Sequence, residues 1–226
     1  MRWALQPGDR PLFGPERGCA EFEQRLLHFD SPTAARTNAA EDEVLYVLRG
    51  SGTARVGDER TELGPGTAVY VAAGTPWAIE AADELEVLSV LVHDPLPPDG
   101  ATHAVVAVDQ VEEGEATAGR MFRLLATPEH GCSSVTQFVG YIPVGRAPDH
   151  YHRYDEVVYV LSGTGAVHID GETAPLGAGT CVHLPAGLVH CLENVGPGEM
   201  TVLGVFRPAG SPAEAYYPDG TPARDY

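Results

Sequence analysis

Positive charge is scarce. Lysine and arginine together number 14 against 32 aspartates and glutamates, so the 226-residue chain carries a formal charge of −18. It has no basic run, which argues against the phosphate-neutralising surface that nucleic acid requires and against docking on an anionic membrane. Long apolar runs are missing as well: nothing approaches the ~20 residues of a membrane-spanning helix. Met1 to Asp9 places Gln6, Pro7, Gly8 and Asp9 where an export signal needs an apolar stretch, so the expectation is a cytoplasmic protein. Cysteines are few (Cys19, Cys132, Cys181 and Cys191) and none form a CxxC. They read as reduced, mostly buried thiols rather than a disulfide framework. No long segment repeats its apolar residues every 3.6 positions, which disfavours a helical fold.

Glycine (26) and proline (19) are, by contrast, abundant and dispersed, as in many short strands separated by turns. The chain also repeats itself. Glu43-Val-Leu-Tyr-Val-Leu-Arg-Gly50 matches Glu156-Val-Val-Tyr-Val-Leu-Ser-Gly163, an offset of 113, half the chain length. Residues 43–77 and 156–190 share 15 identities in 35 positions without a gap, which indicates a tandem duplication. The Pro-rich stretch Asp94-Pro-Leu-Pro-Pro-Asp-Gly100 reads as the joint. The expected division is therefore 1–93, a linker at 94–102, and 103–226. Val44 to Leu48 and Val157 to Leu161 are β-forming apolar runs, expected to be buried on both faces. Asp170-Gly171 is a hairpin signal. Ala213 to Tyr217 is expected to form one helical turn within an otherwise irregular tail, Arg207 to Tyr226, that crosses a barrel or a partner subunit.

The chemistry-bearing residues lie in the second repeat. In His150-Tyr-His152-Arg-Tyr-Asp-Glu156, the two histidines and the glutamate share parity, so an unbroken strand aims all three to one side. His190 follows a turn in Leu184-Pro-Ala-Gly-Leu-Val-His190, and barrel closure would bring it opposite them. Three imidazoles and a carboxylate form a mixed N/O set suited to Fe, Mn, Ni, Zn, Co or Cu. Tyr154 shares that parity and is a candidate for lining the cavity. Arg123 and Arg146 are candidates for gripping a substrate carboxylate. His183 is a candidate for orienting a ligand or else faces solvent; His168 is equally ambiguous. Asp149 and Asp155 have the opposite parity and read as solvated, Tyr159 as core, and Asn194 as a turn residue.

The segments Gly145-x4-His150-x-His152-x3-Glu156-x6-Gly163 and Gly179-x5-Pro185-x-Gly187-x2-His190-x3-Asn194 resemble the first and second cupin motifs. The chain therefore resembles a bicupin. That resemblance implies an all-β fold of two tandem cupin (jelly-roll) barrels, with one divalent transition metal per chain held by His150, His152, Glu156 and His190 in the C-terminal barrel. In the first repeat the 113 offset puts Thr37, Ala39 and Trp77 where the histidines stand and retains only Glu43, so no metal is expected there and Trp77 is expected in the core. The activity implied is that of a metal-dependent enzyme on a small polar organic substrate, a dioxygenase first. The alternatives are a redox-neutral isomerase, decarboxylase or amidohydrolase, and a non-catalytic small-molecule or sugar-binding cupin. A homodimer is an expectation by analogy.

Overall fold

The computed structural model describes residues 10–30 and 36–223. Met1 to Asp9, the segment read for export, and the last three residues of the tail lie outside the described residues. The architecture is all-β, with short 3-10 turns and no longer helix among the described residues. None of the described helices is long and apolar enough to cross a membrane. The chain divides into two compact units.

In the first unit a six-stranded sheet runs in the order Arg10–Phe13, Phe22–Phe29, Leu85–Val92, Asp42–Arg49, Thr67–Val71 and His103–Ala107. A three-stranded sheet holds Glu59–Leu63, Gly52–Val56 and Trp77–Ala81. The second unit repeats the pattern. Thr136–Ile142, Met200–Arg207, Asp155–Ser162 and Cys181–Leu184 are neighbours in one sheet, and Gly145–Arg146, His190–Asn194, Thr164–Ile169 and Glu172–Gly177 form the other. The apolar runs are buried on both faces, as their composition requires: Val44, Leu45, Tyr46 and Val47 in the first unit, Val157, Val158, Tyr159 and Val160 in the second. Each such side chain contributes roughly 1.5–3 kcal/mol on burial. Separate clusters around Leu45, Val69 and Trp77, and around Val160, Val182 and Met200, give each unit a core of its own.

Turn chemistry fixes the register. Asp170 and Gly171 take φ of 51° and 80° and join Ile169 to its partner Glu172, the left-handed pair of a two-residue hairpin. Gly187, at φ 80°, donates its N–H to the His152 carbonyl (2.7 Å), so this turn stitches the two motifs together.

Three local expectations change. His103–Ala107 pairs with Thr67–Val71, so the first unit extends to Val111 and also takes in residues 125–135, rather than ending before a linker at 94–102. Ala213 to Tyr217 forms no helix: a single turn through Ala213 is closed by Glu214 N–H to Ser211 O (3.0 Å), after which Tyr216 exchanges backbone hydrogen bonds with Tyr151. The strand carrying His150 and His152 is broken. Gly145–Arg146 ends before Pro148, which has no N–H to give, and the next strand begins only at Asp155.

Candidate metal centre

Because that strand is broken, the common orientation of the histidines comes from cross-strand pairing. His150 and His190 exchange both backbone hydrogen bonds (His150 N to His190 O 3.0 Å, the reverse 2.8 Å). His152 is fixed by the Gly187 turn. The three imidazoles are buried, with ring centroids 4.7–5.3 Å apart. One ring nitrogen from each lies within 4.8 Å of the others.

Backbone carbonyls set the tautomers. The Nδ1 atoms of His150, His152 and His190 stand 2.9, 2.7 and 2.9 Å from the carbonyl oxygens of Pro148, Glu214 and Leu188. A carbonyl only accepts, so each Nδ1 carries the proton and each Nε2 presents a bare lone pair. Burial, with the neighbouring imidazoles, keeps these rings neutral: it lowers the His150 pKa and pulls His152 down to about 3 and His190 to about 4. Three neutral, pre-oriented imidazoles suit a divalent transition metal, and the donor set fits such an ion.

Glu156 lines the same cavity, 4% exposed, but its carboxylate is not part of the 4.8 Å triplet. Burial pushes its carboxyl up to about 8, opposed by the Arg120 guanidinium. Among the described residues no group hydrogen-bonds it. Gly204 makes room for it: a Cβ there would stand 3.0 Å from Oε1 and closer still to the Phe138 ring.

The first unit shows the same carboxylate put to rest. Arg25 and Ser89 occupy the register positions of Phe138 and Gly204, and both hydrogen-bond Glu43 Oε1, while Asn38 donates to Oε2. Here the ungapped offset slips by one. Arg36 pairs with Trp77 as His150 pairs with His190, and the Gly74 N–H meets Asn38 O (2.7 Å) as Gly187 meets His152. Arg36 and Asn38, not Thr37 and Ala39, therefore hold the histidine positions. One extra residue between Asn38 and Glu43 absorbs the slip. The Arg36 guanidinium lies over the Phe29 and Trp77 rings, and Trp77 is 2% exposed in the core.

Of the other candidates, Tyr154 lines the cavity, stacked between His152 (4.5 Å) and Phe206 (4.0 Å). Arg123 and His183 do not line it. Arg123 pairs with Glu113 (3.0 Å) beside Tyr141. His183 sits opposite Val157, on the face away from Glu156, and its Nε2 meets Asp155 (2.8 Å), which is therefore paired and half-buried rather than solvated. Arg146 and Asp149 pair with each other at the surface. His168 bridges Thr173 and Glu193. Asn194 holds its turn through Ile142, Gly196 and Gly198. None of the four cysteines forms a disulfide.

Sequence reasoning missed one contributor, the turn that carries Thr117 and Arg120, and it placed the tail across a barrel without naming its lining residues. Arg120 and Thr117 line the cavity from a turn well upstream of the motifs, and the tail supplies Pro212, Ala215 and Tyr217. No strand parity relates these residues to the histidines, so the motif spacing carried no signal for them.

The Cupin_2 family, described as the cupin domain, matches residues 30–92 and 137–206, together more than half of the chain. The chain belongs to the cupin family. This bicupin is 35% identical over 103 residues to a protein named polyketide synthase CurC from Streptomyces cyaneus, a match covering 44% of this chain and 66% of that one. The chain thus spans just under two thirds of that relative's length. Its fold resembles that of Ylba from E. coli (TM-score 0.76, 15% identity, 93% of this chain and 88% of that one). It also resembles an oxalate decarboxylase from Bacillus subtilis (TM-score 0.74, 15% identity, 93% and 75%). At such identities the likeness is one of fold. The cupin motifs bracket the histidines, whereas Arg120 lies outside both matched regions.

Proposed function

We propose that the second barrel is the site of a metal-dependent enzyme acting on a small organic molecule, and that its reaction is an oxygen-using cleavage or insertion of the dioxygenase type. His150, His152 and His190 would hold the metal, with Glu156 as a fourth donor. The observation that carries this reading is three imidazoles, each with Nδ1 held by a backbone carbonyl, that bring one ring nitrogen apiece within 4.8 Å of the others. A bound divalent transition metal supplies Lewis acidity and, if redox-active, electrons for oxygen.

The chain's own residues do the rest. Phe122, Phe138, Leu192 and Val202 wall the cavity with apolar surface and exclude water. The tail closes one side with Pro212, Ala215 and Tyr217. Neutral imidazoles leave the ion's charge undiminished, which favours an anionic group on the substrate. Glu156, protonated near neutrality by its burial, would give up its proton on ligating or move one to and from substrate. The apolar walls favour oxygen chemistry on an organic body over decarboxylation of a small, wholly polar diacid.

The test is tag-free protein loaded anaerobically with Fe(II), then given oxygen and a panel of aromatic and aliphatic acids. The expected result is substrate-dependent oxygen uptake that vanishes in His190→Ala. Turnover with Mn(II) or Zn(II) and no oxygen uptake would move the assignment to a redox-neutral reaction. Binding without turnover under any metal would make the barrel a binding module.

A further inference from the structure

The turn at Thr117–Gly119 has no part in the motifs, yet it delivers two polar groups to the cavity. It is closed by Ala116 N–H to Arg120 O (2.7 Å), with Ala118 held at φ 60°. Thr117 and Arg120 both line the cavity that holds the three histidines. The Thr117 hydroxyl is buried and has no hydrogen-bond partner among the described residues. Arg120 Nη2 donates to the Leu192 carbonyl (2.5 Å), and the guanidinium borders Cys191 and Glu156. A guanidinium carries five N–H donors, more than these contacts occupy. Among the described lining residues Arg120 is the only permanent cation, and the chain contains no lysine.

The charges then fix what fits. Three neutral imidazoles, a divalent ion, Arg120 and an ionised Glu156 leave two positive charges in a largely apolar enclosure. Uncompensated buried charge is unfavourable, and two cations facing one cavity call for an anion between them. Phe122, Phe138 and Leu192 beside Arg120 leave an apolar berth for the rest of the molecule.

We propose that Arg120, with the Thr117 hydroxyl, forms the anion-recognition end of the second barrel, and that the substrate is an organic carboxylate with an apolar body. This rests on the reading of the histidine triplet as a metal site and narrows its substrate class. Arg120 grips the carboxylate edge to edge, Thr117 donates its free hydroxyl, and a neutral analogue leaves both unpaired. Rejection of the neutral analogue follows from that loss of pairing.

The test is calorimetric titration of full-length, tag-free protein, metal-free and zinc-loaded, with benzoate and with its uncharged counterpart benzamide. Benzoate is expected to bind at least about tenfold more tightly than benzamide, as charge-assisted hydrogen bonds imply. Arg120→Met is expected to erase that preference while bound zinc stays unchanged. Arg120→Lys should retain part of it, and Thr117→Val should weaken benzoate a few-fold in a chain that still unfolds cooperatively. Equal binding of the two probes, equal benzoate binding by wild type and Arg120→Met, or no benzoate binding at millimolar concentration would each overturn the proposal. Failure of zinc to bind wild type would instead remove the metal reading, and the benzoate–benzamide comparison on the metal-free chain would still decide the role of Arg120.

Discussion

His152 Nδ1 stands 2.7 Å from the carbonyl oxygen of Glu214, so a motif histidine takes its tautomer and direction from the tail, 62 residues further along the chain. Tyr216 holds that tail in place through paired backbone bonds to Tyr151, a stacked ring contact at 5.6 Å and the Arg153 guanidinium over its face.

Removing residues 208–226 is therefore expected to weaken divalent-metal binding by about 10–100-fold, the usual cost of losing a partner that orients a ligand. Calorimetric titration with Mn(II) or Zn(II) checks this. Unchanged affinity would show that the tail only covers the cavity.

Glu156 gives the metal-free protein a signature in pH. Its folded pKa is raised to about 8 from an ordinary 4.5, so through that interval the folded state keeps a proton the unfolded chain has lost, and stability falls as pH rises. The histidines act oppositely: with His152 near 3 and His190 near 4 against 6.5 unfolded, stability falls as pH drops below 6.5. Between pH 6.5 and 8 the histidine effect fades in both proteins and cancels when wild type is compared with Glu156→Gln. Going from pH 6.5 to 8 is expected to cost on the order of 1–2 kcal/mol in wild type relative to Glu156→Gln. Urea unfolding of both proteins at the two pH values measures it, and parallel pH dependence would refute the assignment.

The carboxylate of the first barrel makes a matching case. Arg25 and Glu43 are almost fully buried and 3.3 Å apart. Arg25→Leu strands a buried charge and is expected to cost about 3–5 kcal/mol. The double variant Arg25→Leu/Glu43→Leu should recover much of that loss. Neither should change metal content. A loss of bound metal in either would show that the first barrel contributes ligands.

Gly204→Ala tests the room made for Glu156. The added methyl would press on the Phe138 ring and the Glu156 carboxylate, an overpacking expected to cost about 1–3 kcal/mol and to lower metal affinity. Wild-type melting and metal binding in this variant would mean the site relaxes freely.

Strand pattern and turn residues made the all-β fold and its duplication readable, because continuous apolar β-forming runs and the Asp170-Gly171 hairpin are local properties of the chain. The four residues His150, His152, Glu156 and His190 were readable as a set because two linked motifs bracket them, and all four line one cavity. Their geometry was not: the break at Pro148 makes the cross-strand pairing with His190, rather than strand parity, the reason the rings converge. Parity also left His183 ambiguous until register placed it opposite Val157. Arg36 and Asn38 were hidden by a one-residue slip that only backbone pairing exposes. Arg120, Thr117 and the Glu214 carbonyl were beyond reach, since they meet the site through tertiary packing from segments with no periodic relation to it.

Metal content decides the central claim. Elemental analysis of tag-free wild type after equilibration with Mn(II), Fe(II) or Zn(II) and exhaustive dialysis is expected to give one bound ion per chain for at least one of the metals, and the His150→Ala/His190→Ala double variant almost none, with circular dichroism unchanged. Equal metal in the two proteins, or none in wild type, would mean that the three imidazoles of the second barrel hold no ion.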